Sequence, residues 1–172
     1  MYDRYYQNRK AAAHLLYTER PFIYSPFFKD SVFLSPEGFE HLSVSATGER
    51  SREEQIQRFM LLPLGLYVLE TATKLRAYRR RFISVVPGHP VSKKKKMVQW
   101  WTFAELFRKE RITVRVVVRK VGNGTLHFWS VMLHTNDVGL GTPKLPTVDV
   151  RRRPGSASLV RMTDVASTTN PG

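Results

Sequence analysis

The stretch from Ile112 to His134 limits the possible folds more than any other part of the chain. Ile112–Lys120 (ITVRVVVRK) alternates strictly, with Ile112, Val114, Val116 and Val118 on one face and Thr113, Arg115, Val117 and Arg119 on the other. A period of two is a strand pattern, not a helical one. Gly122-Asn123-Gly124 then supplies a tight turn, and Thr125–His134 (TLHFWSVMLH) returns as a partner strand. A hairpin with one valine row needs a second layer to cover that row.

The covering layer is expected from the residues that come before. Residues 4–17 contain good helix formers and predict a short helix, while Pro21 and Pro26 make Pro21–Phe28 extended. Ser31–Leu34 reads as a short strand. Ser35 then fits a helix N-cap, with Pro36 in the first turn, Glu37 near the positive end, and Phe39, His41 and Leu42 along the helix. Ser51 with Glu54 makes a capping box for a helix bearing Ile56, Phe59 and Met60. Pro63 is expected to break or kink that helix, leaving a further one over Leu64–Ala72. From residue 73 the pattern turns to strands: Leu75–Val86, ending at Pro87-Gly88-His89-Pro90, and Val98–Phe107 (VQWWTFAELF). Helices first and an antiparallel sheet afterwards predict an α+β fold, with N-terminal helices packed on a four-stranded antiparallel β-sheet. The expected division is an N-terminal extension with a short helix over 1–29, a compact domain over 30–138, and a flexible basic tail over 139–172.

Charge narrows the function. The chain has 28 Lys+Arg against 14 Asp+Glu, a net of +14. Residues 73–134 alone hold 15 basic and 2 acidic side chains, so nearly all of the excess lies on the strands. A solubilising surface usually mixes both signs, and this segregation predicts a polyanionic partner. An apolar content of 42% allows a real core. Zero cysteines exclude disulfides, thiolate metal sites and a Cys nucleophile. No apolar run reaches membrane-spanning length and the N-terminus lacks an apolar signal segment, so no membrane partner and a cytoplasmic location are expected.

Familiar chemistries can then be weighed. No Gly-rich loop opens a helix as a nucleotide fingerprint would. The histidines lack metal-ligand spacing and the sheet holds few acids, which disfavours a metal-dependent nuclease or a paired-carboxylate hydrolase. Neither cofactor nor metal is expected. RNA cleavage by the substrate's own 2′-hydroxyl needs only an acid, a base and cations around the phosphate. Arg115 and Arg119 supply cations. Their neighbours on the return strand depend on register. A two-residue turn pairs Arg119 with Phe128, Val117 with Ser130 and Arg115 with Met132, whereas a three-residue loop pairs Arg119 with His127 and brings Trp129 to that face. His41 reads either as a half-buried structural histidine or as a general acid or base reaching the sheet edge. His127 reads either as a solvated turn residue or as a catalytic one. Trp100-Trp101 suits packing better than base stacking. Tyr78, Arg79, Arg80, Arg81, the Lys93, Lys94, Lys95 and Lys96 run (expected as a loop) and Lys120 are candidates for contacts to a nucleic-acid backbone. Arg151-Arg152-Arg153 could add non-specific phosphate contacts, though such a run is more often merely solvated.

Phe33-Leu34-Ser35-Pro36-Glu37-Gly38-Phe39-Glu40-His41 resembles the opening strand and His-bearing helix of the barnase/EndoU/colicin/RelE-like (BECR) nuclease superfamily, in its phage-associated branch. The likeness continues through Leu61-Leu62-Pro63 and Val68–Thr73. It closes with Val114–Arg119 and Gly124–Val131, spanning roughly residues 30–134. The resemblance implies a BECR-like nuclease domain over 30–138. It implies metal-independent, toxin-like endoribonuclease activity on RNA such as tRNA or mRNA, with an acidic antitoxin or immunity protein as a further partner. By position it makes His41 an acid/base candidate, Arg115 or Arg119 the phosphate-stabilising group, and Ser130 the polar residue of the last strand. The alternatives are a non-catalytic RNA- or DNA-binding module, or an interaction protein docking an acidic partner.

Overall fold

A computed structural model describes residues 2–84 and 95–134. The chain begins with α1 (Tyr2–Glu19), β1 (Phe22–Ser25), β2 (Asp30–Phe33) and α2 (Pro36–Ser43). A small hairpin, β3 (Val44–Ser45) with β4 (Gly48–Glu49), leads into α3 (Arg52–Thr71). Four long strands follow: β5 (Ala77–Ser84), β6 (Lys95–Phe107), β7 (Ile112–Val121) and β8 (His127–Leu133). The fold is α+β, with a mixed six-stranded sheet in the order β1-β2-β8-β7-β6-β5. The expected four antiparallel strands are present as β5–β8, but the sheet is wider. β1 and β2 extend it through one parallel pair, Phe33 with His127. A period-two pattern marks a strand without naming its neighbour, so this join had no local signal.

The valine row behaves as its alternation requires. Ile112, Val114, Val116 and Val118 are buried beneath the helices, together with Phe103, Phe128 and Val131. Ser35 and Ser51 cap α2 and α3, each accepting the backbone N–H three residues on at 3.2 Å. The Glu54 carboxylate binds Arg50 and Arg58 rather than closing a capping box. Pro63 does not divide the helical region: α3 runs unbroken from Arg52 to Thr71. Burial of Leu61, Leu62, Leu66 and Leu69 in the core offsets the one backbone donor that proline lacks. Gly65 permits that approach, since a Cβ there would lie 2.8 Å from Val131 Cγ2.

Residues 2–29 are integral rather than an extension. Tyr6, Ala13 and Tyr17 of α1 and Ile23 of β1 belong to the same core, and Tyr6 donates to Gln55 Oε1 at 2.6 Å. Lys95 and Lys96 lie in β6, opposite Ser84 and Ile83, not in a loop. Lys93 and Lys94, the breaker cluster at 87–90 and the basic tail at 139–172 fall outside the described residues.

Candidate nucleic-acid interface and active site

Neither expected hairpin register holds along the whole pair. Val114, Arg115, Val116 and Val117 face Leu133, Met132, Val131 and Ser130, as a two-residue turn would give. Beyond a bulge, Val118 faces Phe128 and Arg119 faces His127, as the three-residue loop would give. Trp129 is the extra residue, and the connection from β7 to β8 is the five-residue Gly122–Leu126 segment. Such a bulge re-aims side chains beside it. Trp129 lies with the Arg119 guanidinium carbon 4.1 Å from its ring centre and the His41 ring 4.4 Å away.

The second contributor to the site is α2. β2 leaves the sheet immediately after Phe33, and α2 fills the space beyond it against β8. The approach is so close that a Cβ on Gly38 would sit 2.3 Å from the Phe128 carbonyl oxygen. Only glycine allows that contact. The first turn of α2 is thereby held at the start of β8, and a pocket of about 220 Å³ forms there. Ser35, Glu37, Arg119, Val121, His127 and Trp129 line it.

The electrostatics of this pocket are specific. Burial lowers the His127 pKa and Arg119 lowers it further, while the Glu37 carboxylate opposes both. Glu37 is held below the usual carboxylate range by its own backbone amide, by Ser35 and by the charge on His127. Burial also lowers the Arg119 pKa, and its Nε is buried with no partner. Among the described residues Arg119 has no ion pair with a carboxylate. An arginine whose charge is desolvated and unneutralised is a ready site for an anion.

Other expected site residues are elsewhere. Ser130 turns into the helical layer, where Arg58 Nη1 donates to its hydroxyl at 2.6 Å and to the Val131 carbonyl at 3.0 Å. Arg115 lies four residues down β7, roughly 13 Å from Arg119, and bonds His134 Nδ1. The His41 ring packs on Trp129; burial, with Arg50 and Arg58 nearby, lowers its pKa to about 4, and its Nδ1 is buried without a partner. The pocket thus gathers Arg119 and His127 but not His41, Arg115 or Ser130. Glu37 was missed because an acid in a first helical turn is the ordinary choice beside the helix dipole.

Direct cross-strand pairs continue from this pocket across the whole sheet. Arg79 faces Trp100, Trp100 faces Arg119, Arg119 faces His127, His127 faces Phe33, and Phe33 faces Phe22. This row lies on the face opposite the helices. Tyr78 and Arg80 fall on the other face of β5, with Tyr78 accepting from Gln99 Nε2 at 2.7 Å. Arg81 is exposed and Lys120 half-buried, and both lie outside the row. Among the described residues no helix is long and apolar enough to cross a membrane, and no three His, Asp or Glu side chains gather as a metal site. No protein-family model matches the chain, and no curated protein or solved structure matches it significantly.

Proposed function

We propose that this protein is a metal-independent, toxin-like endoribonuclease whose active site is the pocket between α2 and the β7–β8 hairpin. The observation that carries the reading is Arg119 paired with His127 across the ladder, with the Glu37 carboxylate on the same pocket wall. In this scheme Glu37 takes the proton from a ribose 2′-hydroxyl. The 2′-oxygen attacks the adjacent phosphorus, the bond to the 5′-oxygen breaks, and His127 as imidazolium gives its proton to that leaving oxygen. The products are a 2′,3′-cyclic phosphate and a 5′-hydroxyl end. Arg119 stabilises the charge that builds on the non-bridging oxygens, a contribution of about 2–4 kcal/mol. The basic strands favour an RNA substrate electrostatically, and the likeness of residues 30–134 to BECR nucleases supports the same reading.

The test is cleavage of an end-labelled single-stranded RNA in excess EDTA. Cyclic-phosphate ends should appear, and a substrate with 2′-deoxy residues throughout should stay intact. Absence of cleavage between pH 4 and 8, with RNA binding retained, overturns the enzyme and leaves a binding module.

A further inference from the structure

The row across the open face has a chemistry of its own. It reads, strand by strand, Phe22, Phe33, His127, Arg119, Trp100, Arg79, and every neighbour is a direct cross-strand partner. At one end Phe22 and Phe33 lie nearly parallel, with ring centres 5.0 Å apart and planes 29° apart, and Phe33 touches the His127 ring at 5.5 Å. At the other end the Arg79 guanidinium lies 4.6 Å from the Trp100 ring centre. Phe22 is 58% exposed and Tyr24, two residues along the same face of β1, is 61% exposed. Aromatic side chains bared to this degree on a sheet face, among cations and beside a candidate catalytic pocket, have no role in the core.

We infer that this row is a binding track for single-stranded RNA, with Phe22 and Phe33 as a base-stacking subsite on one side of the pocket and Arg79 over Trp100 as a phosphate contact on the other. The inference rests on the nuclease reading for the identity of the pocket, but its binding chemistry stands apart from catalysis. Five inter-strand steps give the track a length of roughly 24 Å. A π-face accepts any base, so the track is tolerant of sequence. In an A-form duplex each base is already stacked within the helix and hidden from a flat sheet surface, so the row selects unpaired RNA. The cations at Arg119 and Arg79 interleave with the rings, which matches a strand presenting alternating bases and phosphates.

The test is fluorescence anisotropy with an eight-nucleotide RNA carrying 2′-fluoro sugars, which removes the cleavable nucleophile, compared with the same sequence as a duplex. The duplex should bind at least ten-fold more weakly. Phe22→Ala, which removes an exposed ring, and Phe33→Leu, which keeps apolar volume, should each weaken single-strand binding by roughly 5- to 100-fold. Neither should change the salt slope, whereas Arg79→Ala should reduce it by about 0.7. Equal affinity for single strand and duplex, or unchanged binding by both Phe variants, overturns the track. A track that binds as described in a protein that cleaves nothing in EDTA removes the nuclease reading alone. Cleavage with binding indifferent to Phe22 and Phe33 removes the track alone.

Discussion

Arg119 and His127 stand opposite each other because Trp129 has been squeezed out of the ladder between them and Ser130. Without that bulge Arg119 would face Phe128, and His127 would lie one position out of register. The same displaced indole touches both the Arg119 guanidinium and the His41 ring. One extra residue in β8 therefore sets the site's pairing and props its cation.

Replacing Arg119 with alanine should lower cleavage by roughly 10²- to 10³-fold, the scale of losing one fixed charge-stabilising donor. Its Nε has no partner and burial already disfavours its charge, so thermal stability should be unchanged or slightly higher. Arg119→Lys should recover little, because a point charge cannot reproduce the planar fork. Steady-state cleavage beside a thermal melt separates this from a folding defect, which would lower both.

The pH profile follows from two groups displaced in the same direction. Glu37 must be ionised to act as base, and its pKa lies below the ordinary carboxylate value. His127 must be protonated to act as acid, and its pKa lies below 6.5. The product of the two fractions peaks between those values, so kcat/KM should be bell-shaped with its maximum on the acid side of pH 6.5. His127→Gln should remove the alkaline limb. A maximum above pH 7 would mean that the two roles are assigned wrongly.

The strands of the hairpin and their two faces were legible in the sequence, because period two and the Gly122-Asn123-Gly124 turn are local properties. The Ser35 and Ser51 caps were legible for the same reason. The bulge was not. Each register assumed one offset along the whole pair, and the shift at Trp129, which packs against His41 and Arg119, has no signal in the local pattern. The inward turn of Ser130 was hidden likewise, since its partner Arg58 is 72 residues away. Glu37 was visible as a helix start and invisible as a site residue, because only the docking of Gly38 on Phe128 brings it to His127.

That docking is open to a direct test. Gly38→Ala places a methyl group 2.3 Å from the Phe128 carbonyl oxygen, a backbone atom that cannot swing aside. The first turn of α2 must lift, at a cost of roughly 1–3 kcal/mol, and Glu37 moves with it. Cleavage should fall together with melting temperature, while single-strand affinity measured on the uncleavable RNA should change little. Glu37→Gln at the intact Gly38 should lower cleavage with a smaller loss of melting temperature than Gly38→Ala, that of one first-turn carboxylate. Full activity in Gly38→Ala would show that α2 does not position the carboxylate.

His41 makes the opposite prediction. Its pKa is lowered to about 4 from 6.5, so the folded protein keeps it neutral where the unfolded chain would protonate it. As pH falls from about 6.5 the unfolded state gains the proton first, and stability drops until both states are protonated below about pH 4. The side chain is only part-buried, so solvent screening limits the loss to about 1–2 kcal/mol. Urea denaturation at pH 7 and pH 4.5 should show this loss in the native sequence and a smaller one in His41→Gln. At pH 7 the same variant should cleave RNA within a few-fold of the native rate, because the imidazole packs on Trp129 and does not line the pocket. A hundred-fold loss there, with stability intact, would return His41 to the chemistry and displace Glu37 or His127 from it.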